Sequence, residues 1–326
     1  MERIRRNDYI VQVSSLLGKG EAVVLTGHRR AGKSCILELL SDELSTNGHV
    51  IYIDMEDPAN ADLVSFRELS EKIKTSVCEG RQNYVLIDEV QLLHRFEEVL
   101  NTLMKRPNMD VYVTGSNARF LSKDVITTFR GRGDEVRIHP LSFQEYLSAQ
   151  LDTTFVERHL ADYMRLGGMP QTLSMQTEQQ KREYLQQLFR NTYLLDIKER
   201  YNIRKDDDLE ELIDIVASSI GSLTNPTKIA NTFKSVKQST ITRDTIKSFL
   251  DYMQDAFMIE KALRFDIKGR KYIDTPVKYY FDDLGLRNAR LNFRQTETMM
   301  FMHVLRLFPR GLPGARLCPA ARRRAA

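Results

Sequence analysis

The chain has 326 residues, 42% hydrophobic and 28% charged, with a formal net charge of +4. That length exceeds a single small core and predicts two or three domains of ordinary globular composition. No apolar run approaches the ~18 residues that span a bilayer, and the basic N-terminus MERIRRNDYI lacks the apolar segment of a secretory signal. The three cysteines, Cys35, Cys78 and Cys318, show neither metal nor disulfide spacing. These features predict a cytoplasmic protein with no membrane partner. The positive charge is local. From Thr298 onward there are six arginines and no acid, and without them 42 basic residues face 44 acidic ones, a net charge of −2.

In chain order, Glu21 to Thr26 is an apolar run that stops at Gly27, the pattern of a buried strand. Gly27-x4-Gly32-Lys33-Ser34 follows, matching the phosphate-binding loop at every defined position. The spacing suits that chemistry: glycines at both ends let consecutive N–H groups of Gly27, His28, Arg29, Arg30, Ala31, Gly32, Lys33, Ser34 and Cys35 converge on a phosphate. Lys33 then reaches the β- and γ-phosphates, and the Ser34 hydroxyl serves as a Mg²⁺ ligand. The next helix carries an apolar stripe of Ile36, Leu37, Leu40 and Leu44. HVIYID (49–54) is a second strand. YVLIDEVQ (84–91) is a third, with Asp88 and Glu89 at its carboxyl end. In a parallel sheet that edge faces the phosphates. Asp88 is expected to hold Mg²⁺, and Glu89 to act as general base on the attacking water. An Asp-Glu pair can also cap a helix, but the loop upstream favours the catalytic reading.

Phe96, Val99, Leu100 and Leu103 give a helix with one apolar face. DVYVTGSN (110–117) and DEVRIHPL (134–141) complete five strands, a doubly wound parallel sheet of the P-loop NTPase class. Asn117 is placed to sense the γ-phosphate or orient water. Residues 155–200 read as helices broken at RLGGMPQTL, where Gly167 and Gly168 form a hinge or terminate a helix. Further on, Leu209, Leu212, Ile213 and Val216 define a helix, and Asn225 caps another with Pro226 in its first position. A third begins at Thr242, with Ile241 and Ile246 as a hydrophobic staple. FMIEKALRFDIKGRKYID reads as two strands around Gly269. Three helices and a hairpin make a winged helix-turn-helix. From Thr224 to Ile273, ten Lys/Arg face five acids. Arg243 and Lys247 on the third helix, with Lys268, Arg270 and Lys271 at the wing tip, are candidate duplex-DNA contacts. Lid or protein-docking duty is the alternative use of such a module.

GHRRAGKS, VLIDEVQ, VTGSNARFLS, GRGDEVRIHPLSFQEYL and LGGMPQTL occur in that order, followed by LLDIKERYNIR, KIANTFKS, RFDIKGRKYI and YYFDDLGLRNARLNFRQ. Together they resemble the bacterial and archaeal AAA-superfamily ATPases that carry a C-terminal domain of unknown function, over roughly residues 3 to 297. The resemblance implies ATP with Mg²⁺ as cofactors. It gives Lys33, Ser34, Asp88, Glu89 and Asn117 the Walker A, Walker B and first-sensor roles. Arg132 becomes either an arginine finger, in cis or from a neighbouring subunit of an oligomer, or a brace for a glycine turn. His28 departs from the proline usual at its position, with a modest effect expected on loop rigidity. The implied division is a P-loop core (1–148), a helical lid (149–205), the winged helix (206–275), the start of an incomplete nuclease-like domain (276–297) and an atypical basic tail (298–326). The expected activity is ATP hydrolysis coupled to a DNA-binding winged helix. The alternative is a slow nucleotide-gated switch that docks a protein partner.

Overall fold

A computed structural model describes residues 4–16, 18, 22–63, 65–115, 133–150, 152–203, 206–219, 221–262 and 277–293. The five expected strands are β1 (Ala22–Gly27), β2 (His49–Asp54), β3 (Asn83–Asp88), β4 (Met109–Thr114) and β5 (Gly133–Ile138). They form one parallel sheet in the order β2-β3-β4-β1-β5. Helices cover both faces, so the central strands read as unbroken apolar runs instead of alternating ones. Their side chains still alternate. Ala22, Val24, Val85, Ile87, Val111 and Val113 pack toward helices Phe66–Ser76 and Phe96–Leu103. Val23, Leu25, Leu86, Tyr112 and Val136 pack toward Asn7–Ser14 and Lys33–Leu44. Burying each such valine, leucine or isoleucine is worth about 1.5–3 kcal/mol. Helix Phe66–Ser76 adds to the expected elements, and its sequence mark is the Ser65/Glu68 capping box.

The second half has its own core. Helices Asp206–Ser218, Pro226–Lys237 and Arg243–Asp255 fall where the periodicity places them. Asn225 accepts hydrogen bonds from the Thr227 and Lys228 N–H groups, and Thr242 from that of Thr245. Ile241 and Ile246 lie in the same buried cluster. Strand β7 (Ile259–Ala262) falls at the start of the segment expected to form the hairpin; its expected second limb, with Gly269, Lys268, Arg270 and Lys271, lies outside the described residues. Two further strands, β6 (Leu223–Thr224) and β8 (Val277–Phe281), join β7 in an antiparallel sheet of order β6-β8-β7. Tyr279, Tyr280, Phe281, Leu286 and Ala289 enter the same cluster as Leu166, Leu212 and Leu250. Residues 277–290 therefore complete the packing of the second half, and a cut at 275 would divide a sheet. The local pattern YYF suits an internal strand and the start of a new domain equally, and only its long-range partners separate the two.

The halves meet at a tight joint. Gly167 ends helix Val156–Leu166. The Leu141 N–H donates to Gly168 O at 2.7 Å, and the Tyr163 hydroxyl donates to Leu141 O at 2.7 Å. The Gly168 N–H donates to Asp283 Oδ2 at 2.7 Å. No helix among the described residues is long and apolar enough to cross a membrane.

Candidate functional site

Strand β1 ends at Gly27 with φ +132°, where an added Cβ would lie 2.0 Å from Ile138 O; only glycine lets β5 run alongside at this point. Gly32, at φ +95°, caps helix Lys33–Leu44. The first N–H groups of that helix have no intrahelical acceptor and make an anion-receptive end. Lys33 is buried, its Nζ donating to Gly27 O at 3.3 Å and His28 O at 2.8 Å. Burial pushes its pKa down to about 8, against the attraction of Glu89 and Asp88. Ser34 and Cys35 follow, both half-buried. Beneath the loop, Arg6 donates to Ala31 O at 3.1 Å and pairs with Glu145 at 2.7 Å.

Strand β4 lies between β1 and β3, which sets the ends of β3 and β4 beside the loop. The Thr114 hydroxyl donates to Asp88 Oδ1 and accepts from the Glu89 N–H at 2.9 Å. Burial, reinforced by the nearby charge of Asp88, raises the Tyr52 pKa. Glu89 itself sits at φ +51°, and Gln91 donates to its carboxylate. Burial, reinforced by Glu89, Asp54 and Asp88, raises the Glu56 pKa. Oxygen donors of this kind, a hydroxyl at Ser34 and a carboxylate at Asp88, suit a hard divalent cation such as Mg²⁺. Sequence reasoning did not single out Thr114, Tyr52 or Glu56. Thr114 left one trace, a polar residue closing the apolar run VYV.

Asn117 and Arg132 lie outside the described residues. Arg243 and Lys247 are exposed on helix Arg243–Asp255, remote in sequence from the loop. His28 has a larger part than expected. It is fully buried, Nδ1 lying 2.7 Å from the Tyr193 hydroxyl and Nε2 2.6 Å from Asp282 Oδ2. Asp282 also meets His139 Nδ1 at 3.0 Å. The ligand atoms of His139, Glu260 and Asp282 lie within 4.8 Å of one another. Arg137 stands 3.0 Å from Glu260 and 4.0 Å from Asp282, so protein cations already offset these carboxylates.

A five-stranded parallel sheet with a glycine-lysine loop after β1 and paired acids after β3 defines a P-loop NTPase fold. Residues 19–147 match the family described as an AAA domain, and residues 157–297 match a domain of unknown function, DUF8612. An uncharacterized protein of Haemophilus influenzae is 31% identical, covering 93% of this chain and 79% of its own length. One from Methanocaldococcus jannaschii is 26% identical, covering 87% of this chain and 66% of its own length. The chain belongs to this family of AAA-domain P-loop proteins. Among solved structures, a Walker-type ATPase of Pyrococcus abyssi has the same fold, with a TM-score of 0.61 at 15% identity over 88% of this chain and 96% of that one.

Proposed function

We propose that the chain binds ATP with Mg²⁺ and hydrolyses it, and that its second half binds duplex DNA. One observation carries the hydrolysis reading: Asp88 and Glu89 are held by a single hydroxyl, Thr114, beside the loop that holds Lys33. In this reading the helix N-terminus and Lys33 bind the β- and γ-phosphates. Ser34 and Asp88 would hold Mg²⁺, which supplies charge neutralisation on the phosphates. Glu89 takes a proton from the attacking water, and Thr114 keeps the Asp88 carboxylate in register with the Glu89 main chain. Asn117 and Arg132 are assigned the sensing and charge-stabilising roles. Support for DNA is the exposure of Lys228, Lys234, Arg243 and Lys247 on two packed helices.

Binding of a fluorescent ATP analogue together with steady-state hydrolysis tests the assignment. Lys33→Ala is expected to abolish binding. Glu89→Gln is expected to keep binding and slow turnover about a hundredfold or more. Wild-type turnover by Glu89→Gln would remove Glu89 from the base role.

A further inference from the structure

The loop residues between Gly27 and Ala31 are gripped by the second half of the chain. Both ring nitrogens of His28 are engaged, Nδ1 by Tyr193 and Nε2 by Asp282. The Tyr193 hydroxyl also lies 3.1 Å from Arg29 O. The Arg29 guanidinium reaches Asp196 at 3.6 Å. Tyr193 is carried on a π-helical turn, Phe189–Leu194, whose extra residue per turn shifts the phase of the side chains that follow. Asp282 directly follows β8, with its N–H donating to Met258 O at 3.0 Å and its carboxylate fully buried. A buried carboxylate is costly unless it is partnered, and among the described contacts of this one the shortest is to the loop histidine. His28 then contacts the reactive lysine through its main chain, His28 O accepting from Lys33 Nζ at 2.8 Å.

We propose that Tyr193, Asp282 and His28 are positioning residues, through which the domain of unknown function sets the place of Lys33 in the phosphate loop. The inference rests on the loop being an ATP site. It gives that domain a task distinct from any DNA contact, since its packing against the loop is transmitted to the phosphate-binding ammonium.

The test is equilibrium binding of a fluorescent ATP analogue with Mg²⁺ to the full chain, comparing wild type, Tyr193→Phe, Asp282→Asn, His28→Ala and the His28→Ala/Asp282→Asn pair. Tyr193→Phe is expected to bind about threefold more weakly and Asp282→Asn about tenfold. Asp282→Asn is expected to add nothing once His28 is alanine, because the route is then already cut. Thermal unfolding without nucleotide checks that each variant is folded, and Tyr193→Phe, which loses only a hydroxyl, carries the test should Asp282→Asn not fold. Full additivity of Asp282→Asn with His28→Ala would mean that Asp282 acts through Arg137 and His139, and would overturn the proposal. So would wild-type affinity in both Tyr193→Phe and Asp282→Asn when Lys33→Ala abolishes binding, and the ATP reading would then survive. Binding that is absent in wild type, or indifferent to Lys33→Ala, would overturn the ATP reading and this proposal together.

Discussion

The Thr114 hydroxyl spans the ends of two strands, donating to Asp88 and accepting from the Glu89 N–H. A buried hydroxyl with both functions used fixes its neighbours more tightly than either contact alone. Thr114→Val keeps the shape and removes both contacts. Steady-state kinetics should show kcat reduced about tenfold with a smaller change in KM, and Thr114→Ser should recover most of the loss. An unchanged kcat in Thr114→Val would remove Thr114 from the catalytic alignment. At this scale the sequence singled out Lys33, Ser34, Asp88 and Glu89 as candidates, because each pair sits in a short motif of its own. It did not reveal Thr114 or Tyr52, whose roles arise only when strands distant in sequence are laid side by side. His28 was legible as an unusual residue, but not as a contact between the two halves.

At the scale of elements, the turn from β8 into helix Leu284–Arg290 is built on Asp283. Its carboxylate caps that helix, accepting from the Leu286 N–H at 2.9 Å, and also accepts the Gly168 N–H across the joint at 2.7 Å. Burial pushes its pKa up to about 6 from 3.8, even though three backbone N–H groups favour the charged form. The folded state therefore binds this proton more tightly than the unfolded chain. Its contribution to stability is fully present below 3.8 and is lost as pH rises through about 6. Urea unfolding of wild type against Asp283→Asn should show the difference shifting in favour of wild type by about 2–3 kcal/mol as pH falls from 7 to 4. A difference that is flat with pH would mean that folding leaves the Asp283 pKa at its ordinary value. Helices such as Pro226–Lys237 and Arg243–Asp255 were legible from caps and apolar spacing. The pairing of β8 with β6 and β7 was not, since two-to-five-residue strands carry little local pattern and their partners lie far along the chain.

For the whole molecule, the two halves share the loop, so a ligand on one can alter the other. Duplex DNA on the basic face is expected to stimulate ATP hydrolysis at low salt, with the effect fading at moderate salt as phosphate contacts are screened. Arg243→Glu/Lys247→Glu should reduce the stimulation and leave the rate without DNA unchanged. Slow hydrolysis indifferent to DNA would favour the nucleotide-gated switch that docks a protein. The sequence alone determined the parallel-sheet class, the loop and its paired acids, and most of the helices, because each is written in residues close together along the chain. Tertiary structure alone decided that β4 separates β1 from β3, that residues 277–290 finish the second core, and that His28 is held by Tyr193 and Asp282. Those features depend on burial and hydrogen bonding between segments up to 254 residues apart, a separation over which neither periodicity nor a local motif carries information.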